Sequence, residues 1–160
     1  MIPVVSFVAS SGAGKTTLLI HVITELTFRG VRVGTIKHTH HELEFQPKGK
    51  DSARHAAAGA VLSAISAPNG FSFIGNTMWG LDDIITLFKD VDLIIVEGYK
   101  HEPKPKIEVL RAAHSTQSVL KNDTMLVAVV SDFTYEGPEP HFDLDDVEGL
   151  CDFIQKRFLP

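Results

Sequence analysis

The chain has 160 residues, 44% of them hydrophobic, with 15 Lys and Arg against 20 Asp and Glu for a formal charge of −5. That length and composition suit one domain with a substantial core, and the negative balance argues against a nucleic-acid partner while leaving room for a local cationic pocket. Cys151 is the only cysteine, which excludes an intramolecular disulfide and a four-thiolate zinc site and points to a reducing cytoplasm. No stretch is apolar for long enough to span a bilayer, and the chain opens on a strand pattern rather than a basic, then apolar, leader. A cytoplasmic protein with no membrane partner is expected.

The first element is the apolar run Val4-Val5-Ser6-Phe7-Val8. Ala9-Ser10-Ser11-Gly12-Ala13-Gly14-Lys15-Thr16-Thr17 follows it, and Leu18, Leu19, Val22, Ile23 and Leu26 then recur at helical spacing. A strand, a glycine turn, Lys-Thr and a helix in this order are the P-loop arrangement. Its residues Ser11, Gly12, Ala13, Gly14, Lys15, Thr16 and Thr17 wrap an anion with backbone N–H groups at the positive end of the helix. Lys15 is placed to reach the β- and γ-phosphates, and the Thr16 hydroxyl to ligate Mg²⁺. The pattern normally begins with glycine, where this chain has Ala9; alanine serves there unless the position needs a positive φ.

Past Arg29-Gly30, which should end the helix, residues 31–37 have the composition of a second parallel strand, completing a βαβ unit. Residues 38–50 are polar, with Leu43 and Phe45 alternating with charges. Asp51-Ser52 can cap a helix over 53–58. The runs 60–66 and 70–75 flank Pro68-Asn69-Gly70, a hairpin signal. A helix over 81–89 leads to the unbroken apolar strand Leu93-Ile94-Ile95-Val96. A basic loop over 98–105, a strand over 107–111, a second apolar strand over 125–130 and a surface loop over 135–140 follow. Val147, Leu150, Cys151 and Ile154 give the last helix its apolar face. The expected fold is α/β, a mostly parallel sheet flanked by helices on both faces, in a single P-loop domain over 1–160 with β insertions at about 39–50 and 60–76. Ligands in such folds sit at the carboxyl ends of the strands.

Two acids bracket the apolar strand at 93–96. Glu97 lies at its carboxyl end, on the phosphate side, whereas Asp92 lies roughly 15 Å away at about 3.3 Å per residue. Glu97 is therefore expected to hold Mg²⁺ or orient the attacking group, with Gly98 permitting close approach to a phosphate. Lys37 ends the second strand on the same side, as a second phosphate cation or a solvated charge. Asp51 is either a second Mg²⁺-side acid or an N-cap. Asp132 can accept from the N1–H and exocyclic amine of guanine, or cap a turn. His38, His40 and His41 suit contacts to phosphate, pterin or a partner better than a closed metal site. Lys100, His101, Lys104, Lys106 and Arg111 form a basic cluster, either solvated, or folded over the nucleotide, or receiving the phosphate of a pterin ligand, and no arginine is obviously placed to assist cleavage.

Several separated stretches resemble one family. The P-loop, Thr35-Ile36-Lys37-His38-Thr39-His40-His41, Gly49-Lys50-Asp51-Ser52 with Arg54-His55 and Gly59-Ala60, residues 92–100, and Pro105-Lys106-Ile107-Glu108-Val109 are similar to MobB, the molybdopterin-guanine dinucleotide biosynthesis protein B family. The order and spacing match over about two thirds of the chain. The resemblance implies a P-loop NTPase related to dethiobiotin synthetase that binds GTP with Mg²⁺ and hydrolyses it weakly. It also implies a homodimer acting as an adapter beside MobA, the nucleotidyltransferase that joins a GMP unit to molybdopterin, with molybdopterin or its guanine dinucleotide as a further ligand. On this reading Lys15, Lys37 and Glu97 act on the phosphates, and Thr16, Asp51 and Glu97 on the metal. A small-molecule kinase or ATP-dependent ligase of the dethiobiotin synthetase type would use the same machinery; it needs an acceptor pocket, for which the sequence shows no dedicated segment.

Overall fold

The structure is a computed structural model and describes residues 1–39, 51–75 and 77–160. The chain divides into two compact units, one of Met1–His38 with Ile85–Pro160 and one of Thr39–Ile84.

In the larger unit, β1 (Val4–Ala9), β2 (Val33–Lys37), β5 (Leu93–Glu97), β6 (Lys106–Leu110), β7 (Leu126–Ser131) and β8 (His141–Asp143) form one sheet in the order β2-β5-β1-β6-β7-β8. Every neighbouring pair is parallel. Parallel strands must return through crossovers, so the carboxyl ends of all six strands share one rim. Here β1 is central, with Phe7 opposite Glu97 on one side and Ala9 opposite Val109 on the other.

Alternation along the strands sorts side chains to two faces. Val5, Phe7, Leu93, Ile95, Ile107 and Val109 bury against α1 (Lys15–Phe28) and α4 (Val147–Phe158), whose Leu18, Leu19, Val22, Leu26, Leu150, Cys151 and Ile154 complete the main core. Arg29 ties the two helices together, with its guanidinium donating to Glu25, Asp152 and Gln155. Cys151 is wholly buried, and that burial pushes its thiol up to about 11.

The opposite face is less helical. The ring of Phe88 fills the space over Gly34, where a Cβ would stand 2.6 Å from it. Lys106 and Glu108 are buried on the sheet and pin the 112–125 crossover: Lys106 pairs with Asp123 at 3.0 Å, and Glu108 accepts from the Ser118 hydroxyl and the Val119 N–H. Burial raises the Glu108 carboxyl above the ordinary range, against the opposing pull of those donors. Lys106 thus leaves the basic cluster that the sequence suggests. α3 (Leu81–Ile85) is shorter than the expected helix over 81–89, because the chain turns at Phe88 to cover Gly34.

In the second unit, α2 (Asp51–Ala57) precedes the antiparallel hairpin of β3 (Leu62–Ala67) and β4 (Gly70–Gly75), which fulfils the Pro68-Asn69-Gly70 turn signal. The hairpin stands as a two-stranded sheet and leaves Ile65, Phe71 and Phe73 exposed. The Leu43 and Phe45 alternation and His40 and His41 lie outside the described residues.

Asp92, the acid at the far end of β5, is structural. Its carboxylate receives the Arg32 Nε, Nη2 and backbone N–H at 3.1, 2.7 and 2.8 Å. Those bonds lower its pKa from the usual 3.8 to about 2. A depressed carboxylate stabilises the fold above its unfolded pKa and loses that contribution as pH falls through the folded value. The stability difference between wild type and Asp92→Asn in urea titrations should therefore be full at pH 6 and shrink between about pH 4 and pH 2. A difference independent of pH would disprove the ionic role.

Candidate functional site

The loop between β1 and α1 owes its shape to two glycines. Gly12 and Gly14 take φ of 81° and 79°, left-handed values that a side chain would strain. Ala13 is buried between them, and its N–H donates to Ser10 O at 3.3 Å. Ala9 is the last residue of β1, paired with Val109, and is not among the residues with positive φ, so a methyl group is tolerated there. Gly14 is the N-cap of α1, and no side chain caps that helix. Its first-turn N–H groups, together with the positive end of the helix dipole, are directed out of the loop, as an anion-binding loop requires.

Three side chains converge on one oxygen. Glu97 Oε1 accepts from the Thr16 hydroxyl at 3.0 Å, and lies 3.4 Å from Lys15 Nζ and 3.7 Å from Lys37 Nζ. Glu97 and Lys15 are 15% and 21% exposed at their side chains, so this contact is partly shielded from water, whereas Lys37 is 64% exposed. Register accounts for the meeting. Lys37 pairs with Glu97 across β2 and β5, and Glu97 pairs with Phe7, two residues before β1 gives way to the loop. The hydroxyl and carboxylate oxygens are hard donors of the type Mg²⁺ takes, and the two ammonium groups are placed for phosphate oxygens.

The remaining expected residues fall as follows. Ser11 and Thr17 are exposed at the loop and the start of α1. Asp51 is the first residue of α2, in the other unit, and pairs with Arg54 at 3.4 Å. Asp132 follows β7 on the same rim as Glu97, and its Oδ1 accepts from Ala112 N–H at 2.8 Å, which is the turn-holding alternative. Gly98 is held to glycine by its immediate surroundings. With φ of 100°, it has His38 Cβ only 3.2 Å from where its own Cβ would stand. The space is thus taken by the neighbouring chain, whose His38 N–H donates to Glu97 O and whose ring lies 4.3 Å from that of Tyr99. Of the basic loop, Lys100 and His101 line a shallow cavity of about 250 Å³ with Lys121 and Asp123.

Sequence reasoning placed Arg111 in the basic cluster without its contact to the glycine loop, and missed His114. A Cβ at Gly14 would stand 3.3 Å from the Arg111 Cζ and Nη2, and one at Gly12 would stand 2.9 Å from His114 Cε1. Arg111 directly follows β6, the strand beside β1. Strand order is a long-range property, so the run Lys104 to Arg111 read as one basic segment carries no sign of this contact.

A family model described as molybdopterin guanine dinucleotide synthesis protein B matches residues 4–132, a span that contains every residue of the site. The molybdopterin-guanine dinucleotide biosynthesis adapter protein of Escherichia coli strain K12 is 37% identical, with 96% of this chain and 92% of that protein aligned. The protein of the same name from Haemophilus influenzae is 34% identical, over 96% and 88%. Among solved structures, Bacillus subtilis MobB superposes with a TM-score of 0.77 at 26% identity, over 98% of each chain. A structure titled molybdopterin-guanine biosynthesis protein B gives 0.76 at 28% identity, over 98% and 99%. The parallel sheet, the glycine loop and these matches agree with one another, and the chain belongs to the molybdopterin guanine dinucleotide synthesis protein B family, MobB.

Proposed function

We propose that this chain is a GTP-binding adapter of molybdopterin-guanine dinucleotide biosynthesis. It binds GTP with Mg²⁺ at the glycine loop, hydrolyses it slowly, and acts as a cytoplasmic homodimer beside a MobA-type nucleotidyltransferase, with molybdopterin or its guanine dinucleotide as the cargo served. The adapter role rests on the names of the relatives. The nucleotide role rests on one observation above all: Lys15, Thr16 and Lys37 meet on Glu97 at the mouth of an uncapped helix.

In this reading Lys15 and Lys37 exchange their contact with Glu97 for phosphate oxygens, and Thr16 and Glu97 hold the metal. Mg²⁺, when bound, neutralises charge on the β- and γ-phosphates. Asp51 is proposed as a second metal-side acid on sequence spacing alone. Asp132 is proposed to read guanine through the oxygen that does not hold Ala112. The competing kinase or ligase reading calls for ATP, so nucleotide preference separates the two.

Lys15→Ala should abolish GTP binding by calorimetry while leaving the melting temperature near that of wild type; affinity retained within about twofold would sink the assignment of the loop. Glu97→Gln should keep most of the affinity and lose Mg²⁺-dependent turnover.

Wild type should bind GTP more tightly than ATP. Asp132→Asn should narrow that gap, because with its oxygen still holding Ala112 the amide turns an NH2 donor, in place of an acceptor oxygen, toward the guanine donors. An ATP preference would favour the kinase reading and release Asp132 from base recognition.

Unpaired strand edges are commonly covered, and the β3–β4 hairpin presents such edges with Phe71 76% exposed. Light scattering at micromolar concentration should report a dimer, and a monomer there would remove the assembly.

A further inference from the structure

We infer that Arg111 is a phosphate ligand of the nucleotide site, closing it on the side away from Glu97. The inference deepens the proposed GTP-binding role and rests on it.

Four observations carry it. The guanidinium lies flat against the loop, with Cζ, Nη2 and Nε at 3.3, 3.3 and 3.4 Å from the position a Gly14 Cβ would occupy. Gly14 is the residue whose N–H and following turn open α1, so the cation stands where the anion-binding backbone begins. Its Nε is buried and has no hydrogen-bond partner. A buried donor on a permanently charged group is costly to leave unmet, so packing alone does not explain the placement. Among the described residues no carboxylate lies within ion-pair distance of Arg111, whereas Arg29 has two and Arg32 and Arg54 one each.

The fourth observation is that the backbone around Arg111 is locked. Its carbonyl accepts from His114 N–H and Ser115 N–H at 2.9 and 2.8 Å, and the next residue, Ala112, donates to Asp132 Oδ1 at 2.8 Å. A flexible surface arginine needs no such support, while a ligand held in register does.

The topology gives the arrangement its sense. β5 and β6 flank β1, so Glu97 with Lys37 reaches the loop from one side and Arg111 from the other. Guanidinium presents parallel donors that match the oxygens of a phosphate, which a point-charge ammonium does not. The contact is assigned to holding the polyphosphate rather than to speeding its cleavage. Binding ground state and transition state alike raises affinity without raising turnover, which accords with a slow hydrolase.

The test is calorimetry with Mg²⁺ and either GTP or inorganic tripolyphosphate on wild type, Arg111→Met, Arg111→Lys and Lys15→Ala, with melting temperatures of the unliganded proteins. Met removes the guanidinium that lies on Gly14 but keeps an unbranched side chain of adaptable shape, so the fold should survive. The expected result is a loss of about tenfold or more for both ligands in Arg111→Met, a smaller loss in Arg111→Lys, and an unchanged melting temperature. If Arg111→Met fails to fold, Arg111→Gln carries the same expectation. Affinity within about twofold of wild type in the uncharged variant, with Lys15→Ala inactive, would overturn the inference and leave the GTP reading intact. A loss for GTP but not for tripolyphosphate would overturn it as well, by moving the contact off the phosphates. Wild type binding neither ligand would overturn both.

Discussion

The parallel pairing of β1 with β5 on one edge and β6 on the other is the constraint on which the rest of this molecule depends. Hydrogen bonding between strands fixes register to within a residue, and a slip of one would send every side chain to the opposite face. In the register found, Phe7 faces Glu97 and Ala9 faces Val109, so the loop after β1 opens between the end of β5 and the end of β6. The buried charges serve this registration. Lys106 and Glu108 alternate with the core residues Ile107 and Val109 and fasten the crossover through Asp123, Ser118 and Val119. That crossover begins with the turn carrying Arg111, so the sheet, the crossover and the loop form one mechanical unit.

Glu97 is the point on which the cations beside the loop meet. Lys15, Lys37 and Thr16 all contact its Oε1. A carboxylate in that position gathers cations that would otherwise repel one another and keeps them within a short movement of the loop. Under the proposed function, cations already gathered at the loop lower the entropy cost of capturing a phosphate.

Local patterns were readable directly. The β1, loop and α1 sequence, Glu97 at a strand end and the Pro68-Asn69-Gly70 hairpin all announce themselves within a few residues, because turn chemistry and periodicity act over that range. What the sequence did not disclose depends on partners far along the chain. Lys106 reads as a solvated base until Asp123 is seen beside it, and Gly98 reads as a phosphate-approach glycine until His38 is seen filling its space. α3 stops at Ile85 although its pattern continues, and Phe88 beyond it covers Gly34. The strand β8, only three residues long and following Gly137-Pro138, is too short to leave a periodic signal.

The distribution of charge has a consequence for how fast a ligand finds the loop. The molecule as a whole carries −5, and a polyanion approaching an average point of its surface is repelled. Around the glycine loop, however, Lys15, Lys37 and Arg111 stand with the carboxylate of Glu97 at the positive end of α1. Field lines from a local positive area on a negative body converge there, and under the proposed function they would steer a polyanion toward the loop. Such steering acts over about 8 Å at physiological ionic strength and contracts as salt is added. Under the proposed function, added salt should therefore slow the association of a triphosphate more than it shortens the lifetime of the complex.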